Sequence, residues 1–298
     1  MDKNPVITVV GSINMDLVTL TDKVPQMGET LMGTKFQTNP GGKGANQAVA
    51  AARLGVHVKM IGCVGKDQFG TELLHHLQNQ GIDTAHVEQV EDRTGIATII
   101  VSGQDNSIIV VPGANDHVTG DFVETRRDII AQSDLLLLQL EIPLEAVRKA
   151  AQIAKENGVK VILNPAPIRD LPGELLENIE YLTPNEHEYR LLPSHNEELH
   201  KKVILTKGRE GVSYYEGNQL VNIPAFNVSA IDTTGAGDSF NGGFAVGLSK
   251  GLSLKEACQY GNAVAALSTT RLGAQTGMPT ANEVEAFLKS KIDWNIRS

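Results

Sequence analysis

The sequence predicts an α/β protein, a three-layer αβα domain with a small β-sheet lid, and three observations carry that expectation. Short β-branched or leucine-rich runs alternate with helix-length segments. Two stretches interrupt the alternation with strand-like character of their own. The C-terminal third reads as successive helices. In order, residues 6–10, 58–61, 135–138, 160–163 and 203–205 read as buried strands of a parallel sheet. Residues 44–54, 67–79, 121–131 and 143–157 carry helical spacing, and Pro143 suits a first helical turn. Helices are expected over 237–249, 254–270 and 282–290, the last two opened by Ser253…Glu256 and Thr280…Glu283 capping boxes. The interrupting stretches, 16–38 and 94–111, form the expected lid; in the second, two apolar runs flank the turn-like Gly103-Gln104-Asp105-Asn106. With no repeat, low-complexity tract or Pro/Ser linker, residues 1–298 read as a single domain from which the lid folds out.

Composition narrows the function. Lysine and arginine total 26 against 35 acidic residues, a formal net charge of −9 without a long basic run, so nucleic-acid binding is not expected. An anionic nucleotide remains possible, because backbone amides and a few local cations suffice to hold it. The two cysteines, Cys63 and Cys258, sit in apolar segments and offer neither a disulfide framework nor a CxxC metal site, which implies a reducing compartment. The N-terminus runs directly into a strand without a secretory apolar region, and the run 135–138 is too short to span a bilayer; a cytoplasmic protein without membrane contact is expected. The eight histidines show no ligand-like spacing, and His75-His76 reads as a polar helix face.

Three segments carry chemistry. In Thr233-Thr234-Gly235-Ala236-Gly237-Asp238, small residues lead into a helix whose first turn holds a carboxylate. Phosphoryl transfer needs amides to stabilise the transferring group and a base to take a hydroxyl proton; the glycine turn supplies the first and Asp238 the second. An isolated GxGD is more often an ordinary turn with an N-cap, so the second segment matters: Gly41-Gly42-Lys43-Gly44-Ala45-Asn46 is another glycine turn entering a helix. Neither is a P-loop or a GxGxxG dinucleotide fingerprint. The third, Gly11-Ser12-Ile13-Asn14-Met15-Asp16, follows the first strand, where ligands of open α/β sheets gather, and Asn14 and Asp16 suit sugar hydroxyls.

In order along the chain, GSINMD, GGKGANQA, QLEIP, NPAP, TPNE, TKG and DTTGAGDSFNGG resemble the ribokinase-like carbohydrate kinases of the phosphofructokinase B type. The resemblance covers nearly the whole chain. It implies the αβα fold with a β-lid and ATP-dependent phosphorylation of D-ribose at its primary 5-hydroxyl, giving ribose 5-phosphate and ADP. Asn14, Asp16, Gly42, Lys43, Asn46 and Glu141 would surround the sugar, with Asp238 as general base and Gly235, Ala236 and Gly237 as anion hole. Asn185 and Glu188 would stand near the phosphates and Mg²⁺, Glu188 acting on the metal indirectly. Thr206, Lys207, Gly208, Arg209, Glu210 and Gly211 would lie beside the adenosine, and Asn262 at the base. A monovalent cation, K⁺, would sit among Asp232, Thr234, Ser268, Arg271, Gly273 and Gly277.

Two departures accompany the resemblance. Gly277 stands where related kinases place a serine, which removes a hydroxyl ligand, and only residues 191–201 are available for a helix before the TKG strand. Competing readings are a kinase for deoxyribose, fructose or adenosine, a non-catalytic sugar sensor, and a glycosidase using Asp16 and Asp238. The sensor has no reason to keep the base, and the glycosidase leaves the glycine turn unexplained. Finally, a thin lid with one apolar outer face calls for a cover, which predicts a homodimer joined through the lids, with Ile99, Ile100, Ile109 and Val111 as candidate interface and ring-covering residues and Ala97 or Ile109 expected over the sugar ring.

Overall fold

A computed structural model describes residues 4–103, 105–192 and 197–291. Its strands, in chain order, are β1 (Val6–Val10), β2 (Asn14–Leu20), β3 (Lys35–Gly41), β4 (His57–Gly65), β5 (Asp83–Val90), β6 (Gly95–Ser102), β7 (Asp105–Val111), β8 (Leu135–Leu138), β9 (Lys160–Leu163), β10 (Tyr181–Leu182), β11 (Ile204–Thr206), β12 (Val212–Glu216) and β13 (Gln219–Ile223). The helices are α1 (Lys43–Arg53), α2 (Gln68–Asn79), α3 (Gly120–Glu124), α4 (Arg127–Ala131), α5 (Leu144–Glu156), α6 (Gly173–Asn178), α7 (Glu186–Leu191), α8 (Glu197–Lys202), α9 (Ala236–Ser249), α10 (Leu254–Ser268) and α11 (Ala281–Lys291).

The central sheet runs β10-β9-β8-β1-β4-β5, and every pair in it is parallel. Alternation along its strands builds two cores, which is why the runs read as continuously apolar. Ile7, Val9, Leu135 and Leu137 face one core with α1, α9 and α10; Val10, Leu136 and Leu138 face the other with α5. The expected three layers are therefore present. After β1 the chain builds towards β4 and β5, then returns to place β8 on the other side of β1. This reversal opens a crevice at the carboxyl ends of β1 and β8, where Gly11–Asp16 and Gln139–Glu141 emerge. Helix α9 packs tightly beneath: a Cβ at Gly242 would lie 2.5 Å from Ala50 Cβ, so α1 and α9 approach at backbone distance and bring their N-termini together.

The lid is a separate four-stranded sheet, β3-β2-β6-β7. It extends beyond the expected boundaries, starting at Asn14 and returning to Gly41, so its root carries site residues. Strands β6 and β7 form the expected hairpin, pairing Ser102 with Asp105; Gln104 of the turn lies outside the described residues.

Several expectations are corrected. Residues 121–131 form two short helices, because Arg126 stacks 3.5 Å over the Phe122 ring and its guanidinium binds the Phe122 carbonyl, ending α3. Pro143 precedes α5 as its N-cap, outside the first turn. The strand expected at 203–205 is β11, which joins an antiparallel sheet with β12 and β13 and touches the parallel sheet only through the bridges Leu182↔Val203 and Asn185↔Thr206. Within 191–201, the six-residue α8 begins at Glu197, and residues 193–196 lie outside the described residues. Ser253 and Glu256 form the full capping box; at α11 the Glu283 carboxylate accepts from the Thr280 amide and hydroxyl. Burial pushes both cysteine thiols up to about 12, consistent with inert core positions. Among the described residues no helix is long and apolar enough to cross a membrane.

Candidate active site

Asp238 lies in the first turn of α9, buried, where Gly235 adopts φ 75° as N-cap. Its Oδ2 accepts from Asn46 Nδ2 at 2.9 Å and its Oδ1 from Gln47 Nε2 at 3.0 Å, both from the first turns of α1. Two donors at fixed positions hold the carboxylate in one orientation. The amides of Gly235, Gly237 and Asp238 have no acceptor among the described residues, whereas Ala236 N, expected in the anion hole, donates to Thr233 O. The N-cap and first turn thus present three free N–H groups beside a carboxylate, two of them within α9, at the positive end of a fourteen-residue helix. Asn241 Nδ2 holds the Gly237 carbonyl at 2.9 Å, and Thr183 Oγ1 donates to Asn241 Oδ1 at 2.6 Å.

The sugar-side expectations converge here. Asp16 projects from β2 over Gly41, where any Cβ would overlap its carboxylate. No donor binds that carboxylate among the described residues, and burial, reinforced by Glu141 and Asp238, raises Asp16 to about 7 despite Lys43 nearby. Burial alone pulls the Lys43 ammonium down, but Asp238, Glu141, Glu188 and Asp16 more than offset it and hold it above its usual range. Four carboxylates and one ammonium therefore share the crevice. Asn14 turns its Oδ1 to Asn115 Nδ2 at 2.7 Å, which leaves the Asn14 amide nitrogen as the free end. Glu141 caps α1, accepting from Ser12 Oγ at 2.6 Å and Lys43 N at 3.0 Å through Oε2 and leaving Oε1 without a donor among the described residues. Gly42 begins α1 at φ 88°, and a Cβ there would lie 2.8 Å from Asn14 N.

On the opposite side, Asn185 and Glu188 form the capping box of α7, which is the ordinary structural role for that pattern. They also lie near the crevice: Glu188 acts on Lys43, and burial is the main cause of its own raised carboxyl. Thr206 and Lys207 end β11 and lead into the turn Gly208-Arg209-Glu210, with Gly211 N bound to Gly208 O at 3.0 Å. Asn262 gives both its donors to the carbonyls of Ile223 and Pro224, at 3.3 and 3.2 Å, so only its Oδ1 remains for a ligand.

The residues expected around a monovalent cation are also brought together. Asp232 Oδ2 accepts from Gly273 N at 2.8 Å and Oδ1 from Thr234 Oγ1 at 2.7 Å. The carbonyls of Ser268, Gly273 and Arg271 lie 2.6, 2.9 and 3.5 Å from the point a Gly277 Cβ would occupy. The Ser268 hydroxyl turns back to Ala265 O, and the Arg271 guanidinium pairs with Glu283, so both would serve through carbonyls. An all-oxygen donor set fits a hard cation. Glycine at 277 keeps this oxygen-lined space open. A Cβ at Gly277 would press on backbone carbonyls, so Gly277→Ser is expected to displace the loop and lower Tm; a thermal melt checks the sign. Among the described residues no three His, Cys, Asp or Glu side chains cluster as metal ligands.

A family model for pfkB family carbohydrate kinases matches residues 4–281. The chain belongs to the pfkB family of carbohydrate kinases. This pfkB kinase is 47% identical to the ribokinase of Bacillus subtilis over 95% of its own length and 99% of the relative's. It is 35% identical to a deoxyribokinase of Salmonella typhi, over 95% and 98%. A solved structure of Arabidopsis thaliana ribokinase complexed with ribose and ATP superposes with a TM-score of 0.89 at 32% identity, covering 96% of this kinase and 99% of that chain.

Several buried amides to which the sequence assigned no role also meet in the site. Asn115, Asn164, Gln139, Gln47 and Gln275 are buried amides that orient the site, and their signal was available: uncharged amides inside or beside apolar runs, as in Leu138-Gln139-Leu140. Register also corrects the lid. Asn39, Asp16, Ala97 and Val110 form one row across the sheet, so Ala97 and Val110 share the Asp16 face. Ile109 belongs to the opposite face with Leu17 and Thr98 and does not cover the sugar side.

Proposed function

We propose that this kinase transfers the γ-phosphoryl group of ATP to the 5-hydroxyl of D-ribose, giving ribose 5-phosphate and ADP. The observation that carries the reading is Asp238 itself, held by Asn46 and Gln47 directly beside the two free amides of α9. Asp238 takes the 5-hydroxyl proton as the oxygen attacks the γ-phosphorus in line with the departing ADP oxygen. The Gly237 and Asp238 amides receive the charge that builds on the equatorial oxygens, and Lys43 adds a cation. Asp16, Asn14 and Glu141 have free acceptor and donor ends suited to the ring hydroxyls, with Gly42 and Asn46 completing the ring. The nucleotide extends over Thr206–Gly211 towards Asn262. Bound Mg²⁺ would neutralise the β- and γ-phosphates, with Asn185 and Glu188 reaching it through water. Potassium would lie among Asp232, Thr234 and the carbonyls of Ser268, Arg271, Gly273 and Gly277.

An ATP-coupled assay across ribose, deoxyribose, fructose and adenosine tests the substrate. The expected result is the highest kcat/KM for ribose; deoxyribose matching or exceeding it would favour the second reading, to which the 35% relative points.

The reading extends to a cytoplasmic enzyme whose residues 1–298 act as one αβα unit, with neither nucleic acid nor membrane as partner, and to a homodimer. Supporting the dimer, Phe36, Ile109 and Val111 are 63%, 63% and 49% exposed on the lid face turned away from Asp16, which Ile100 shares. Ile99 falls on the Asp16 face. An uncovered apolar face of this kind is a docking surface for its symmetry mate. Sedimentation at micromolar concentration is expected to give a dimer, with Ile109→Lys shifting it to monomer; a wild-type monomer overturns the assembly and leaves the kinase reading intact.

A further inference from the structure

Asp238 is the end-point of a directed chain of buried amides that reaches the outside of the fold. Asn46 donates to Asp238 Oδ2, Asn46 Oδ1 accepts from Gln275 Nε2 at 2.8 Å, and Gln275 Oε1 lies 2.7 Å from His76 Nε2 on α2. A second branch runs from Gln139 Nε2 to Gln47 Oε1 at 2.6 Å, and Gln47 donates to Asp238 Oδ1. A primary amide has one accepting and one donating end, whereas an ionised carboxylate only accepts. The charge on Asp238 therefore orients the whole chain. Asn46 must turn its nitrogen to the carboxylate, Gln275 its nitrogen to Asn46, and His76 must carry its proton on Nε2. Reversing any one member would set two oxygens or two N–H groups face to face.

Gln275 is built into this place. Its backbone carbonyl and that of Met278 both accept from Arg53 Nη1, at 2.7 and 2.8 Å, so α1 clamps the loop that carries it. Gln275 and Asn46 are 4% and 8% exposed, which leaves water little access to replace a lost partner.

We propose that Gln275 is a positioning residue for phosphoryl transfer: it locks the Asn46 amide in the orientation that delivers a donor to Asp238, with His76 as the terminal donor. The inference rests on Asp238 being the general base. Without Gln275, the Asn46 oxygen loses its donor, and the hydrogen bond that Asn46 gives Asp238 loses its fixed direction.

Steady-state kinetics of Gln275→Ala, Gln275→Glu, His76→Leu and His76→Gln, with Asp238→Asn alongside, test it. Gln275→Ala is expected to lower kcat roughly 10- to 100-fold with the KM for ATP within about twofold of wild type. Gln275→Glu should be worse, since a carboxylate can only accept and draws the Asn46 nitrogen away from Asp238. His76→Leu should give a smaller loss in kcat, and His76→Gln, which keeps a donor, should rescue it; this half-buried position remains informative if the Gln275 variants fold poorly. A role in stability alone would lower Tm without the order Glu below Ala below wild type in kcat. Wild-type kcat in both Gln275 variants while Asp238→Asn is inactive overturns the relay alone. An active Asp238→Asn overturns the base and the relay together.

Discussion

Asp238→Asn is expected to lower kcat by roughly 100- to 10,000-fold, the usual range for loss of a general base, while ATP still binds. The structure adds a condition to this test. Both carboxylate oxygens accept from N–H donors, so the new amide nitrogen must face either Asn46 or Gln47. One hydrogen bond is lost and a donor faces a donor, at a cost of about 1–3 kcal/mol, partly offset by removing a buried charge. Tm and nucleotide binding should therefore be measured with the kinetics. A folded, ATP-binding variant that keeps more than about a tenth of wild-type kcat would show that Asp238 is not the base.

Asp16 carries the second large effect, and its sign depends on pH. Asp16→Asn should raise the KM for ribose roughly 10- to 100-fold while leaving the KM for ATP within about twofold, because the carboxylate accepts hydroxyl hydrogen bonds that an amide matches only in part. In the wild type, burial with Glu141 and Asp238 raises the folded-state value from 3.8 to about 7. The folded protein therefore holds a proton that the unfolded chain releases across that window. The destabilisation from Asp16 grows as pH rises through it and is complete above about 7. Asp16→Asn should accordingly stabilise the protein at pH 8, by about 1–4 kcal/mol, and scarcely at pH 4. Thermal melts at the two pH values check the sign; equal stabilisation at both would mean that Asp16 is not raised. The same titration predicts a wild-type KM for ribose that rises as pH falls from 8 to 6, since the protonated form can no longer accept at both oxygens. On the proposed role of Asp16, a buried carboxylate without a donor of its own trades stability for binding.

Periodicity and turn chemistry are local properties, and much of this protein is legible from them alone. The runs at 6–10, 135–138 and 160–163 are β1, β8 and β9, and the glycine turns at 41–44 and 235–237 lead into α1 and α9 as expected. Asp238 and Asp16 could be named from the turns that carry them, but the ordinary-turn reading of a lone GxGD gave way only to the full set of motifs in order, and Lys43 entered through the family resemblance. That Asn46 and Gln47 hold Asp238 was not legible. Asn46 and Gln47 meet it across more than 190 positions of sequence, and Gln275 and Gln139 reach it only through them. An amide carries no charge to mark it, and its meaning lies in which end it turns to which neighbour. The lid shows the same division. Its strands could be read from β-branched runs, yet which residues share the Asp16 face depended on pairing register, where a shift of one residue exchanges the faces. Local propensity determined the elements and the reactive groups; long-range packing of α1 against α9, made possible by the absence of a side chain at Gly242, decided how those groups are aimed.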